Sequence, residues 1–240
     1  MKRLLLISYI LCVLPFLVSC ENELVAPAGA TNVQTKEAYG ACRTYQYISK
    51  TSDVTSYGTA YKDIILVGFR EGITEREKQQ IVRQSSLYKE IVGEVALDSG
   101  PITLVQLKAR STCADVEYLR AQLQRHPDVL FANPAFNTQD SEIAWIGLPN
   151  EFLVSIETGT QAQLEALAAS TNTRLVFSLS EELHLMSADK NSQGDALAMS
   201  NLFNQQAFVI SAEPNFIFQA KTSGTGEATT QTMLKGTKQR

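Results

Sequence analysis

The sequence predicts an α+β protein that contains two tandem ferredoxin-like modules, each with the order strand, helix, strand, strand, helix, strand. Two observations predict this fold. A closing motif occurs twice, as Val129-Leu130-Phe131-Ala132-Asn133-Pro134-Ala135-Phe136 and as Val209-Ile210-Ser211-Ala212-Glu213-Pro214-Asn215-Phe216. Each copy is an apolar run that ends at a proline, which has no N–H to donate to a neighbouring strand. The same succession of strand and helix patterns precedes both copies, which indicates an internal repeat.

The first module is predicted to span residues 61–136. Its strands and helices are predicted, in order, at 64–69, 74–85, 90–97, 102–107, 113–125 and 129–133. Thr74 with Glu77 and Thr112 with Asp115 have the spacing of a capping box, in which each side chain satisfies a free backbone donor of the first turn. This pattern predicts where both helices begin.

The second module is predicted to span residues 151–220. Its strands are expected at 152–156, 174–179, 183–188 and 209–213, with one helix that begins at Thr160 and another that begins at Ser192. Thr160 with Gln163 and Ser192 with Asp195 repeat the capping-box spacing, so all four helices are predicted to begin in the same way.

Three segments flank the modules. Residues 20–60 have little periodicity and predict a lipidated tether, with one ordered edge near Tyr45 to Ile48. Residues 137–150 form a linker that contains the single tryptophan, Trp145. This large apolar side chain predicts that the linker packs between the modules. Residues 221–240 are rich in Thr, Gly, Lys and Gln, and they predict a disordered tail.

The N-terminus has the features of a secretion signal, predicted over residues 1–19. Lys2 and Arg3 precede the apolar run Leu4 to Val18, and Leu17-Val18-Ser19-Cys20 resembles a bacterial lipobox. The lipobox implies lipidation of Cys20 and a membrane anchor through acyl chains. The acidic residues after this cysteine favour the outer membrane. A plain signal peptide with a coincidental cysteine is the alternative.

Cys42 and Cys113 are the two cysteines that remain once the leader is removed and Cys20 is lipidated. In an oxidising envelope they can form a disulfide. Two unpaired thiols are the alternative, and the sequence leaves both open.

Composition and motifs argue against several classes of function. The net charge of −4 is unfavourable for binding nucleic acid. The sequence contains no H-E-x-x-H, G-x-S-x-G or phosphate-binding loop, and no cysteine or histidine cluster suited to zinc. We therefore expect a protein without catalytic activity, without a metal or other cofactor, and without a small-molecule ligand.

Three sequence motifs resemble those of one known protein family. Ile65-Leu66-Val67-Gly68-Phe69-Arg70-Glu71-Gly72 and the two closing motifs resemble the propeptide domain of subtilisin-type serine proteases. That domain typically begins with an Ile-Val-x-Phe-Lys-x-Gly strand and ends with Val-x-Tyr-Val/Ala-Glu-Pro-Asn. The resemblance covers about residues 64–136 and 151–219. It departs from the family in two respects, since no protease domain follows and the first strand of the second copy matches weakly.

The resemblance implies a mode of binding. In the family, the propeptide sheet packs on the protease and the segment after its last strand enters the substrate cleft in an extended form. The corresponding cleft segments are Phe136, Asn137, Thr138, Gln139 and Phe216, Ile217, Phe218, Gln219. The docking face would contain Leu66, Leu153 and His184, whereas alternation places Ile65, Val67 and Phe69 on the helix-covered face.

These observations predict an envelope lipoprotein that binds a subtilisin-type protease in trans, as an inhibitor or a folding chaperone. The alternative is a non-inhibitory protein-binding or scaffold lipoprotein with another envelope protein as partner. This alternative would follow if packing hides the docking faces. A third interpretation is a remnant whose protease domain was lost or is encoded separately.

Overall fold

The computed structural model describes residues 42–221 and the backbone of residues 230–232. These residues contain twelve strands and four helices. The strands are β1 (Thr44–Ile48), β2 (Val54–Phe69), β3 (Tyr88–Leu97), β4 (Gly100–Leu107), β5 (Val129–Phe136), β6 (Ile143–Gly147), β7 (Glu151–Ile156), β8 (Arg174–Ser178), β9 (Leu183–Ser187), β10 (Val209–Pro214), β11 (Ile217–Ala220) and β12 (Thr230–Thr232). The helices are α1 (Glu75–Arg83), α2 (Cys113–Gln124), α3 (Gln161–Thr171) and α4 (Ala196–Asn204).

The strands form two antiparallel sheets. The larger sheet has the order β12-β11-β6-β5-β2-β4-β3, with β1 also paired to β2, and the smaller sheet has the order β10-β7-β9-β8. Strands account for 43% of the structure and helices for 23%, and the larger sheet curls into a half-barrel. The predicted fold class of two tandem ferredoxin-like modules is therefore wrong.

The additional strands of the larger sheet explain the error. β2 is 16 residues long and begins ten residues before the predicted strand, so its first half can pair with β1. β5 continues through Pro134 to Phe136, where it pairs with β6. β6 in turn pairs with β11, which follows the second closing motif. Segments predicted as tether and linker thus join the sheet, and so does part of the predicted tail, because β12 pairs with β11.

The helix starts divide into two groups. Thr74 with Glu77 and Thr112 with Asp115 form complete capping boxes, as predicted. The other two predicted boxes are wrong. The hydroxyl of Thr160 donates to the carbonyl of Glu157 instead of accepting from its own helix, and α4 is capped by Asp195 itself, whose carboxylate accepts from a backbone N–H. Local side-chain hydrogen bonds of this kind compete with the capping box.

One core lies between the sheets and their helices. Ile65, Val67 and Phe69 are buried on the helix-covered face of the larger sheet, which agrees with the alternation in the sequence. The same cluster continues into the smaller sheet, where the rings of Phe152 and Phe203 lie 5.1 Å apart. A shared core joins the two sheets.

A second core fills the inside of the curl. Leu66 and Phe131 project into it from the strands of the first repeat, and Trp145 and Ile217 close it from β6 and β11. Gly68 is required for this close packing, because a Cβ at this position would lie 2.1 Å from the ring of Phe131. The linker tryptophan is therefore part of the larger sheet's own core.

β1 connects the two halves of the molecule. The hydroxyl of Tyr47 donates to the carbonyl of Ala212 at 3.0 Å, and Asn204 on α4 donates to the carbonyl of Ile48 at 2.9 Å. Cys42 and Cys113 form a disulfide, with Cα atoms 5.4 Å apart, that joins the start of this segment to α2. Part of the predicted tether is thus an ordered bridge.

Candidate protein-binding surface

The two predicted cleft segments lie on either side of β6. Phe136 is fully buried and pairs with Ile146, and Phe218 pairs with the same residue from the other side. Ile217 and Gln219 belong to β11, which pairs with β6 on one edge and with β12 on the other. The backbone of the second segment is therefore already occupied, unlike the free strand that cleft binding requires.

The remainder of the first cleft segment forms a loop. Asn137 and Gln139 are exposed and Thr138 is half-buried in the connection between β5 and β6. The loop is held by Lys221, whose backbone N–H donates to the carbonyl of Glu142 at 2.8 Å and whose side chain donates to the carbonyl of Asp140 at 3.2 Å. This segment is anchored at both ends.

The three predicted docking residues have different surroundings. Leu66 is fully buried in the second core, so the corresponding face of the larger sheet is closed. His184 pairs with Val154, whose side chain lies in the helix-covered core, so this histidine faces the helices. Leu66 lies on the face away from the helices, as predicted, but the second core covers it. The prediction that His184 faces outward is wrong. Leu153 alone of the three lies half-buried on the open face of the smaller sheet.

We call this surface the open face. It contains a row of directly opposed residues, Glu213, Leu153, Leu185 and Phe177, one from each of the four strands. Glu213 and Phe177 are exposed at its two ends, and Leu185 is fully buried. Ile210 is exposed at a bulge in β10. The open face is an apolar strip with a carboxylate at one end.

The open face is closed at one end by the turn between β3 and β4. The backbone N–H of Ser99 donates to the carboxylate of Glu151 at 2.6 Å, and the hydroxyl of Ser99 donates to the side chain of Asn150 at 3.0 Å. The amide of Asn215 donates to the second carboxylate oxygen of Glu151 at 2.9 Å. These hydrogen bonds fix the two sheets relative to each other, and the open face extends from this junction towards Leu183.

β8 forms one edge of the smaller sheet. Within the described residues it pairs with β9 on one side and has no strand on the other. Leu175, Phe177 and Leu179 are each more than a third exposed along this edge. Glu181 and Glu182 follow in the exposed turn. The strand was predicted at 174–179, but its exposed apolar side chains were not predicted as a surface, although apolar residues at alternate positions followed by Ser180-Glu181-Glu182 were a signal for one.

His184 is a titratable group of the helix-covered core. It is 1% exposed, its Nδ1 lies 2.8 Å from the hydroxyl of Ser178, and its Nε2 has no hydrogen-bond partner among the described residues. Burial lowers the pKa of His184 below its usual value, because desolvation disfavours the imidazolium form. This histidine is therefore a neutral component of the core.

The lipidation prediction falls outside the described residues, since Cys20 and residues 1–19 precede residue 42. No helix within residues 42–221 is long and apolar enough to cross a membrane. In the same range, no group of three or more His, Cys, Asp or Glu side chains has the arrangement of a metal site.

Comparison of the chain with protein-family models, with curated proteins and with solved structures finds no match. The surface chemistry of the chain is therefore the basis for inferring its function.

Proposed function

We propose that this chain is a non-inhibitory protein-binding lipoprotein of a bacterial cell envelope, which binds a partner protein through the open face of its smaller sheet. The observation that carries the proposal is the contrast between two equivalent positions. Leu66 pairs with Asn133 and Leu153 pairs with Glu213, the residues before the prolines of the two closing motifs. Leu66 is enclosed in the second core, whereas Leu153 is half-buried on an apolar strip. The envelope location rests on the lipobox-like tetrapeptide that ends at Cys20.

The chemistry of the open face defines the kind of partner. Leu153 and Leu183 offer half-buried apolar contact area, and Ile210 adds an exposed apolar side chain. Glu213 supplies an exposed carboxylate at the rim. The matching surface has an apolar centre with a lysine or arginine beside it, which is the usual arrangement of a buried core and a polar rim.

Inhibition through a segment that enters a protease cleft is disfavoured by the way in which both predicted cleft segments are held. A segment that enters a protease cleft needs unpaired backbone donors and acceptors in an extended chain. β11 has strands on both edges, and the loop after Phe136 is held by Lys221. Residues 21–240 without lipid contain all of the described residues, so they are suitable for an inhibition assay. We expect peptide hydrolysis by a subtilisin-type protease to be unaffected at a stoichiometric ratio.

Stoichiometric inhibition that disappears when Asn137, Thr138 and Gln139 are replaced by alanine would overturn the non-inhibitory proposal. The partner surface is tested separately in cells, with a photo-cross-linking amino acid at position 153 of the lipidated chain. We expect one discrete cross-linked protein, and the same amino acid at Tyr118, an exposed position on α2, is the control. Identical products from both positions, or none from position 153, would contradict the assignment of the open face.

A second candidate function is docking of a subtilisin-type protease on this same face without blocking its cleft. The observation that favours it is the location of Leu153, the residue that the propeptide resemblance assigns to the docking face. Binding is measured with a protease whose active site has been chemically blocked. We expect Leu153→Glu to weaken binding about tenfold or more, because a charge replaces an apolar contact, and Tyr118→Glu to leave it unchanged.

A further inference from the structure

The edge formed by β8 is only partly protected against pairing with another strand. Natural edges are protected by lysine, proline, short length or bulges. β8 is five residues long and has a bulge between Leu175 and Phe177 in its pairing with β9, but it contains no lysine or proline. Leu175 is 37% exposed, Phe177 is 38% exposed and Leu179 is 47% exposed. The backbone N–H of Leu179 donates to Leu183 at 2.8 Å, so the ladder continues beyond the end of β8.

The two ends of this edge carry opposite charges. Arg174 is exposed at the beginning of β8, and Glu181 and Glu182 are exposed in the turn after it. When two such edges pair in an antiparallel manner, the basic end of each meets the acidic end of the other. The edge is therefore self-complementary, which is the requirement for an interface between two identical chains related by a two-fold axis.

We propose that β8 pairs with β8 of a second copy of this chain, so that the two smaller sheets become one continuous eight-stranded antiparallel sheet. A two-fold axis beside Phe177 sets Leu175 opposite Leu179 of the second copy. It sets Arg174 opposite Ser180 of the second copy, one residue from Glu181. Opposed side chains on antiparallel strands lie about 4.5–5.5 Å apart at Cβ, close enough for apolar pairs to contact.

This inference goes beyond the proposed function and does not depend on it. The partner in the proposed function contacts the open face, whereas the second copy contacts the edge through backbone hydrogen bonds. Pairing would extend the open face across both copies without covering Leu153, which lies on β7, two strands away from β8. A lipid anchor on each chain would raise the local concentration of both copies and so favour pairing.

Sedimentation equilibrium of residues 21–240, from about 1 µM to about 1 mM, tests the association over the range of weak interfaces. We expect the mass to rise from one chain towards two. Arg174→Glu and the double variant E181R/E182R should each weaken association about tenfold or more. Each places like charges opposite one another, and the two-fold symmetry puts every substitution at the interface twice. A mixture of these two variants should restore association. Arg76→Glu, at an exposed arginine on α1, is the charge control.

Cysteine cross-linking tests the register. Phe177→Cys should form a dimer through one intermolecular disulfide on mild oxidation, because residues beside the axis approach their own copies within disulfide range. Val92→Cys, 48% exposed on the edge strand β3 of the other sheet, should not. A chain that stays monomeric at every concentration, or a mixture of charge variants that does not associate, would overturn the proposal. Equal cross-linking at positions 92 and 177 would also overturn it.

Discussion

The rings of Phe136 and Phe216 lie edge to face, with centroids 6.4 Å apart and an interplanar angle of 78°. They occupy the same position in the two copies of the closing motif. Tyr57 contacts both rings, with centroid distances of 5.4 Å to Phe136 and 4.8 Å to Phe216. The two copies of the closing motif thus contact each other in the folded chain through these two rings, and this contact joins the two sheets.

The first prediction concerns this aromatic junction. Phe136→Ala should lower the free energy of unfolding by about 3–5 kcal/mol, because it removes a fully buried ring, and Phe216→Ala should cost less because its ring is only half-buried. A double-mutant cycle should give a coupling of about 0.5–1.5 kcal/mol. Denaturant unfolding should show one transition, and two separate transitions would contradict a shared core.

The second prediction concerns the disulfide. Cys42 and Cys113 are separated by 71 residues in the chain. Closing a loop of this length restricts the unfolded chain by about 4 kcal/mol in the chain-entropy model, so Cys42→Ser/Cys113→Ser should unfold at lower denaturant concentration. Addition of a thiol reductant should destabilise the wild-type chain and leave the double variant unchanged. A reductant effect of equal size in the wild type and the double variant would show that the reductant does not act through this disulfide.

The third prediction concerns pH. The pKa of His184 is lowered by burial, so the unfolded chain binds its proton more tightly than the folded chain does. Stability from this group is therefore fully present above the unfolded pKa of about 6.5 and declines as the pH falls below it. Between pH 7.5 and pH 5.5 the unfolding free energy should fall with acid in the wild type and fall less in His184→Gln.

The comparison between the pH profiles of the wild type and His184→Gln decides whether this histidine is the group responsible. If the profile of His184→Gln matched the wild type over the same range, the burial of His184 would not be linked to stability.

The fourth prediction concerns the fully buried carboxylate of Glu151. It accepts hydrogen bonds from the backbone N–H of Ser99 and from the side chain of Asn215. Glu151→Ala leaves both donors without an acceptor, which costs about 1–3 kcal/mol for each group. Glu151→Gln keeps one acceptor oxygen and should cost less.

Amide hydrogen exchange locates the effect of these variants. The N–H of Ser99 should exchange faster in Glu151→Ala than in the wild type, because it loses its partner, while the N–H of Leu104 in the middle of β4 serves as an internal control. Acceleration at both amides by the same factor would indicate global unfolding and would contradict a local role for Glu151.

The sequence determined the local elements of this protein. Alternation assigned Ile65, Val67 and Phe69 to the helix-covered face, and the Thr-x-x-acid spacing located the starts of α1 and α2. Both signals depend on residues that are close together in the sequence, so they do not change with the arrangement of the rest of the chain.

The second half of the chain shows how local signals can mislead. Thr160 and Ser192 have the same spacing as the true caps, but neighbouring backbone groups compete for the Thr160 hydroxyl and Asp195 caps α4 directly. His184 was predicted to face outward. Its face is set by the register of β9 against β7, and a shift of one residue reverses the face of every side chain in a strand.

Only the tertiary structure decided which strands are neighbours. β1, β6 and β11 are five residues long or shorter, and their sequences permit pairing with any edge that is free. Their addition to β2 and β5 curls the larger sheet, encloses Leu66 in a second core and leaves the open face of the smaller sheet as the accessible one. The sequence by itself therefore determined the four helices and the strands within the two repeated stretches, whereas β6, β11 and β12 were not predicted. Strand partners depend on contacts between residues far apart in the chain, so the fold and the accessibility of the open face were decided by the tertiary structure.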